Sequence, residues 1–171
     1  IVASNHNSHL DTAALLVVLT KDDRCLHPVA AKDYWFRNKF SSWVSRAFID
    51  AIPFDRQAHF AQSLGMAIAL LRKDHSLLFF PEGGRGTTGD IRAFKPGLGV
   101  LALESGAPIV PANVSGSFQA MSKGRWIPKR HKIKVRFGFP IQADPYIEKQ
   151  GNLDTVDLAR RITEDVQSAV E

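Results

Sequence analysis

Short apolar runs of β type alternate along this chain with longer stretches of helical spacing, and that alternation limits the possible folds more than any other feature. Strands are expected at Ile1–Ser4, Cys25–Ala31, Phe48–Ile52, Ser76–Phe80, Pro108–Val114 and Lys132–Phe139. Helices are expected at Gln57–Lys73, where Phe60, Leu64, Ile68 and Leu71 share one face, at Lys95–Ser105, and at Asp154–Val170 with Val156, Ile162 and Val166 inward. Strand–helix alternation predicts an α/β fold: one layered domain over residues 1–171, its mostly parallel central sheet flanked by helices. A chain of 171 residues can bury a substantial core in one such unit. In sheets of this kind ligands collect at the carboxyl ends of strands. His6, Asp55–Arg56 and Glu82–Arg85 each follow a predicted strand, so these three loops are expected to converge.

The apolar share of 44% and charged share of 23% fit a folded chain and exclude disorder. Cys25 is the single cysteine, which excludes an internal disulfide framework and a multi-cysteine zinc cluster, and suits a reducing compartment. Falling within a predicted strand, it reads as core rather than nucleophile. The longest apolar run, Ala13 to Leu19, is too short to cross a bilayer, and no secretory signal is visible. The chain opens inside a strand without an initiator methionine. A fragment lacking its N-terminal segment is therefore expected, and that segment is where a membrane anchor would lie.

The net charge of +5 is concentrated. From Ser105 to Ala143 there is no acidic residue, while Lys123, Arg125, Lys129, Arg130, Lys132, Lys134 and Arg136 supply +7; elsewhere 15 basic residues face 17 acidic ones. One patch of this kind suits phosphate-bearing partners. An anionic membrane surface fits best, with Trp126 and Ile127 at headgroup depth. A contact for the phosphates of coenzyme A or an acidic carrier protein, and a solvated strand edge guarded by lysines, stay open. Nucleic acid is not expected, because aromatic platforms do not interleave the charges.

Two segments carry chemistry. In NHNSHLD, Ser8 followed by Asp11 fits a helix cap before AALLVVL. That cap leaves His6 in the preceding loop and Asp11 in the first turn, where the carboxylate can turn back and accept Nδ1–H of the imidazole. A metal is the weaker alternative: His6, His9 and Asp11 lack a fourth ligand, and no metal is expected. In FPEGGRGTTGD, Gly84 and Gly89 have phosphate-loop spacing, but Asp90 stands where a lysine is required, which excludes a nucleotide-hydrolysing loop. What remains is flexible backbone that can cradle an anion, with Arg85 inside it and Lys95 just beyond, or an ordinary glycine turn. Glu82 has three open roles: bonding an acceptor, bracing Arg56 and Arg85, or capping the turn.

Together these blocks resemble the glycerolipid acyltransferases, the family of lysophosphatidic acid acyltransferase. NHNSHLD resembles the family's NHxSxxD block, IPFDR at Ile52–Arg56 its arginine block, FPEGGRG its FPEGTRS block, and APIVPANV at Ala107–Val114 its final strand. FKPG at Phe94–Gly97 is similar to the segment after the third block. Gly84 and Gly86 replace the family's usual threonine and serine. The resemblance implies an O-acyltransferase of phospholipid biosynthesis, at the cytoplasmic face of a membrane. It would move an acyl group from acyl-CoA or acyl-carrier protein, its co-substrate, to a hydroxyl of a lysophospholipid such as lysophosphatidic acid, without a cofactor. It implies His6 as general base, Asp11 as its orienting partner, and Arg56, Glu82, Gly83, Gly84, Arg85 and Lys95 around the acceptor's phosphate. A thioesterase using the same His–Asp pair, and a lipid- or anion-binding module without chemistry, are the competing functions.

Overall fold

A computed structural model describes residues 1–19, 26–31, 51–55, 59–122, 124–125, 127–149 and 154–171. Over these residues the strands are β1 (Val2–Ser4), β2 (Leu26–Ala31), β3 (Ile52–Phe54), β4 (Ser76–Phe79), β5 (Val110–Ser115) and β6 (Lys134–Phe137). The helices are α1 (His9–Leu19), α2 (Phe60–Leu71), α3 (Gly97–Ser105), α4 (Ser117–Ala120), α5 (Asp144–Lys149) and α6 (Thr155–Val170). The six strands form one sheet in the order β3-β2-β4-β1-β5-β6. The first five in this order are parallel, and β6 runs antiparallel to β5, Ser115 facing Lys134 and Ala112 facing Phe137. The expected α/β architecture, mostly parallel, is the one observed.

The period of two along the strands divides the core. Ala3 and Leu77 enter one cluster with Ala67 and Leu71 of α2, Leu98 and Leu101 of α3, and Ile162, Val166 and Val170 of α6. Their neighbours Val2 and Leu78 enter a second cluster with Leu15 of α1 and with Ala112 and Val114. Each fully buried leucine here contributes about 1.5–3 kcal/mol. Where α3 crosses α6, a Cβ at Gly99 would overlap the Ala159 carbonyl. Thr163 Oγ1 accepts the Gly99 N–H at 3.1 Å and donates to Ala159 O at 2.7 Å, so the crossing is stitched as well as close.

Two expectations need correction, and a third lies largely outside the described residues. Phe48–Ile52 falls largely outside the described residues, and the strand found there is Ile52–Phe54, paired to β2 through Ile52–Val29 and Phe54–Ala31. Pro53 lies inside this strand, as Pro28 and Pro111 lie inside β2 and β5. Val156 is not inward: it is 52% exposed, one turn before the buried stripe of Ala159, Ile162, Thr163, Val166 and Val170. It lies beside the N-cap, Asp154, whose carboxylate accepts the Val156 N–H at 3.1 Å. The sixth strand is shorter than Lys132–Phe139, since only Lys134–Phe137 pair with β5. Cys25 lies outside the described residues.

The topology also selects a position for a site. From β1 the chain leads through α1 towards β2, on one side; from the adjacent β4 it leads through α3 across β1 to β5, on the other. Connections that part in this way leave a crevice at the carboxyl ends of the two strands, where α/β sheets bind ligands.

Candidate active site

Asn5 and His6 leave the carboxyl end of β1, and Phe80, Pro81 and Glu82 that of β4. The Asn5 amide continues the sheet after the strand has ended, bonding both backbone groups of Val114. Ser8 then caps α1: its Oγ accepts the Leu10 N–H at 3.2 Å and donates to Met121 O at 2.6 Å. The reciprocal half of the cap is Asp11, whose Oδ2 accepts the Ser8 N–H at 2.7 Å. The same oxygen accepts the Asn7 N–H at 2.7 Å and Nδ1 of His6 at 3.1 Å. Capping and imidazole orientation are thus one structure. Asp11 is fully buried, and as an acceptor-only group it sets the proton of His6 on Nδ1 and leaves Nε2 as the free nitrogen.

The backbone of His6 is fixed by the glycine loop. Its N–H donates to Glu82 Oε1 at 2.8 Å, and its carbonyl accepts the Gly86 N–H at 2.8 Å. Its ring stacks on Phe80, centroids 4.0 Å apart and planes 20° from parallel. Glu82 is buried, and the cation it holds among the described residues is Arg92, Nε to Oε2 at 3.1 Å, a partner not among the three roles open in the sequence. The Arg92 guanidinium also donates to the Gly84 carbonyl. Gly83 turns the loop with φ at +72°, and the Lys95 ammonium lies over it, 2.9 Å from where a Cβ would stand. Lys95 closes the loop by donating its N–H to Pro81 O at 3.0 Å. Phe94 beside it is buried, its N–H on Gln167 Oε1 of α6 at 2.8 Å.

The charge of the loop reaches His9, at the start of α1. The pKa of His9 falls to about 4, first through burial, then through the charge of Arg85 and that of His6, with Asp11 opposing. His9 is accordingly neutral at physiological pH, and Arg85 lies close enough to act on it. Six of the eight predicted site residues, His6, Asp11, Glu82, Gly83, Gly84 and Lys95, are thus joined through direct contacts or through Arg92, while the charge of Arg85 acts on the neighbouring His9. Arg56 lies outside the described residues; Asp55, just before it, follows β3 at the same carboxyl edge of the sheet. Phe80, Arg92 and Asn7 were missed by sequence reasoning. Asn7 is buried with Nδ2 on Gly89 O at 3.0 Å, and a Cβ at Gly86 would overlap its Oδ1. The glycine at position 86 therefore goes with the asparagine at position 7. Among the described residues no three His, Cys, Asp or Glu side chains are grouped as metal ligands.

A buried carboxylate orienting a loop imidazole beside a cationic glycine turn is an arrangement for moving a proton next to an anion. Residues 1–115 match the family model Acyltransferase, and the chain belongs to that family. It is 36% identical over 87 residues to the 1-acyl-sn-glycerol-3-phosphate acyltransferase of Cocos nucifera, covering 51% of this chain and 28% of that one. It is 33% identical over 143 residues to 1-acyl-sn-glycerol-3-phosphate acyltransferase alpha of Mus musculus, covering 79% and 48%. The crystal structure of the 1-acyl-sn-glycerophosphate (LPA) acyltransferase PlsC from Thermotoga maritima shares the fold, with a TM-score of 0.72 at 22% identity over 99% of this chain and 64% of that one. The chain spans 28% to 36% of the length of the first plant relatives it matches.

Proposed function

We propose that this protein transfers an acyl group from an acyl thioester, acyl-CoA or acyl-carrier protein, to a hydroxyl of a lysophospholipid such as lysophosphatidic acid. The observation that carries this reading is His6 Nδ1 held on Asp11 Oδ2 at 3.1 Å beside the Arg85–Lys95 loop. His6 Nε2 takes the hydroxyl proton as the oxygen attacks the thioester carbonyl; the C–S bond then breaks, and the proton passes to the departing thiolate. Products are an ester and a thiol, and the reaction needs no cofactor. A base so placed supplies ~10²–10⁴-fold, and only while its imidazole is neutral. Asp11 stabilises the imidazolium that forms. Arg85, Lys95 and Arg56 hold the acceptor's phosphate, with Gly83 and Gly84 giving it close access to the backbone. The names of the curated relatives support the choice of acceptor.

The surface also suits work on a lipid in place. Arg125, Lys129, Arg130, Lys132, Lys134 and Arg136 are all exposed and form no ion pair among the described residues. Ile127 stands 81% exposed among them. Lys134 faces Ser115 at the carboxyl end of β5, and Met121 bonds Ser8, so the described residues between them border the edge that carries His6. Each such cation is worth about 1 kcal/mol near anionic lipid. The protein is thus proposed to dock this edge on an anionic membrane, at its cytoplasmic face. No described helix is long and apolar enough to cross a membrane.

Free-thiol release from acyl-CoA, with and without lysophosphatidate, tests the reading. Stimulation by the acceptor together with a diacyl product is expected. Equal rates indicate hydrolysis by the same pair, and silence indicates a binding module; either result discards acyl transfer.

A further inference from the structure

We propose that Arg92 is a positioning residue for His6, acting through Glu82; the inference rests on the reading of His6 as the base. Arg92 lies outside the motifs that mark the chemistry, yet its guanidinium joins the two parts of the loop that hold the histidine. Nε donates to Glu82 Oε2 at 3.1 Å, Nη2 donates to the Gly84 carbonyl, and Glu82 Oε1 in turn accepts the His6 N–H at 2.8 Å. Glu82 has a fully buried side chain, and Arg92 is its only ion-pair partner among the described residues. Remove that cation and a carboxylate is left buried without a counter-charge. It must then take up a proton or move towards water, and either course loosens the His6 amide.

Arg92 is itself half exposed, so its truncation opens no cavity in either core cluster. The guanidinium is also specific to the task. Its planar fork reaches a carboxylate and a carbonyl at once, whereas a lysine offers one compact charge. The imidazole and the backbone of His6 have separate anchors, Asp11 for the ring and the Glu82–Gly86 loop for the main chain. Arg92 governs the second. A displacement of about 1 Å at this point is enough to cost on the order of 100-fold in rate.

The test uses the full chain with Arg92→Ala and Arg92→Lys. Arg92→Ala is expected to lower kcat by about 10–100-fold while the KM values for lysophosphatidate and acyl-CoA stay within about threefold, the pattern of lost orientation rather than lost binding. Arg92→Lys recovers part of the loss, and added guanidinium ion recovers part of it in Arg92→Ala. Without any substrate, hydrogen exchange at the His6 amide accelerates at least about tenfold in Arg92→Ala. Unchanged kcat, or a loss confined to the acceptor's KM, overturns the proposal, the latter by making Arg92 a phosphate ligand. Unchanged exchange at His6 overturns it too. A wild-type protein that transfers no acyl group sinks the acyltransferase reading instead, and the amide exchange still decides whether the clamp exists.

Discussion

Asn5 bonds Val114 through both ends of its amide, Nδ2 to the carbonyl at 2.9 Å and Oδ1 from the N–H at 2.8 Å. A side chain thereby stands in for the next residue of β1 and sets where the loop to His6 begins. Asn5→Ala leaves two buried backbone groups of Val114 unpaired, at about 1–3 kcal/mol each. Urea denaturation should show a midpoint shift with little change in slope, accompanied by a lower kcat.

Asp11 serves the helix and the histidine with one oxygen. Asp11→Asn keeps the volume but weakens the acceptor for two amides and for Nδ1. Acyl transfer is expected to fall by about 100-fold or more, with about 1–3 kcal/mol of stability lost from the cap. His6→Ala should lose the same activity with little change in stability. If His6→Ala kept the acceptor-stimulated rate, the base would have to be sought elsewhere.

Gly86 and Asn7 compete for one space. Gly86→Ser restores the residue usual in the family and drives a Cβ into Asn7 Oδ1, so it should destabilise the wild-type background. In an Asn7→Ala background the same serine should be tolerated. A coupling energy of about 1–3 kcal/mol in that double-mutant cycle is expected; additive effects would show that the loop moves aside.

His9 has its pKa lowered from 6.5 to about 4, chiefly by burial. Between these values the unfolded chain binds more protons at this residue than the folded one, so its contribution to stability is complete above pH 6.5 and is lost as pH falls towards 4. The decline of stability across that window should be shallower in His9→Gln, measured by denaturant titration at several pH values.

Lys129, Arg130 and Lys132 form the densest part of the exposed cationic segment. Their triple substitution by alanine should lower partitioning onto phosphatidylglycerol-containing vesicles by about 100-fold at low salt, and added salt should weaken wild-type binding in the same direction. A raised KM for acyl-CoA with vesicle binding unchanged would instead assign the patch to the donor's phosphates.

The sequence and the structure agree where one local pattern carries the geometry. Ser8 and Asp11 announce a cap, and because the capping carboxylate is also the partner of His6, reading one exposes the other. The glycine loop after Ser76–Phe79 was equally visible. Arg92 was not, because its ten-residue separation from Glu82 is closed only by the fold of the intervening turn. Val156 matched the helical period but lies in the first turn, before the stripe that faces the core. β3 carries Pro53 and has no alternation that announces it; its pairing to β2 is a fact of topology and not of local pattern.

The closing helix has a consequence for anyone shortening the chain. Gln167 holds Phe94 beside the glycine turn, and Ile162, Val166 and Val170 complete the cluster that contains Leu98 and Leu101. All four lie past residue 115, where the family match stops. Trimming the protein to its recognisable motifs would strip α3 of its cover and release the segment behind Lys95, leaving every signature residue present but unsupported.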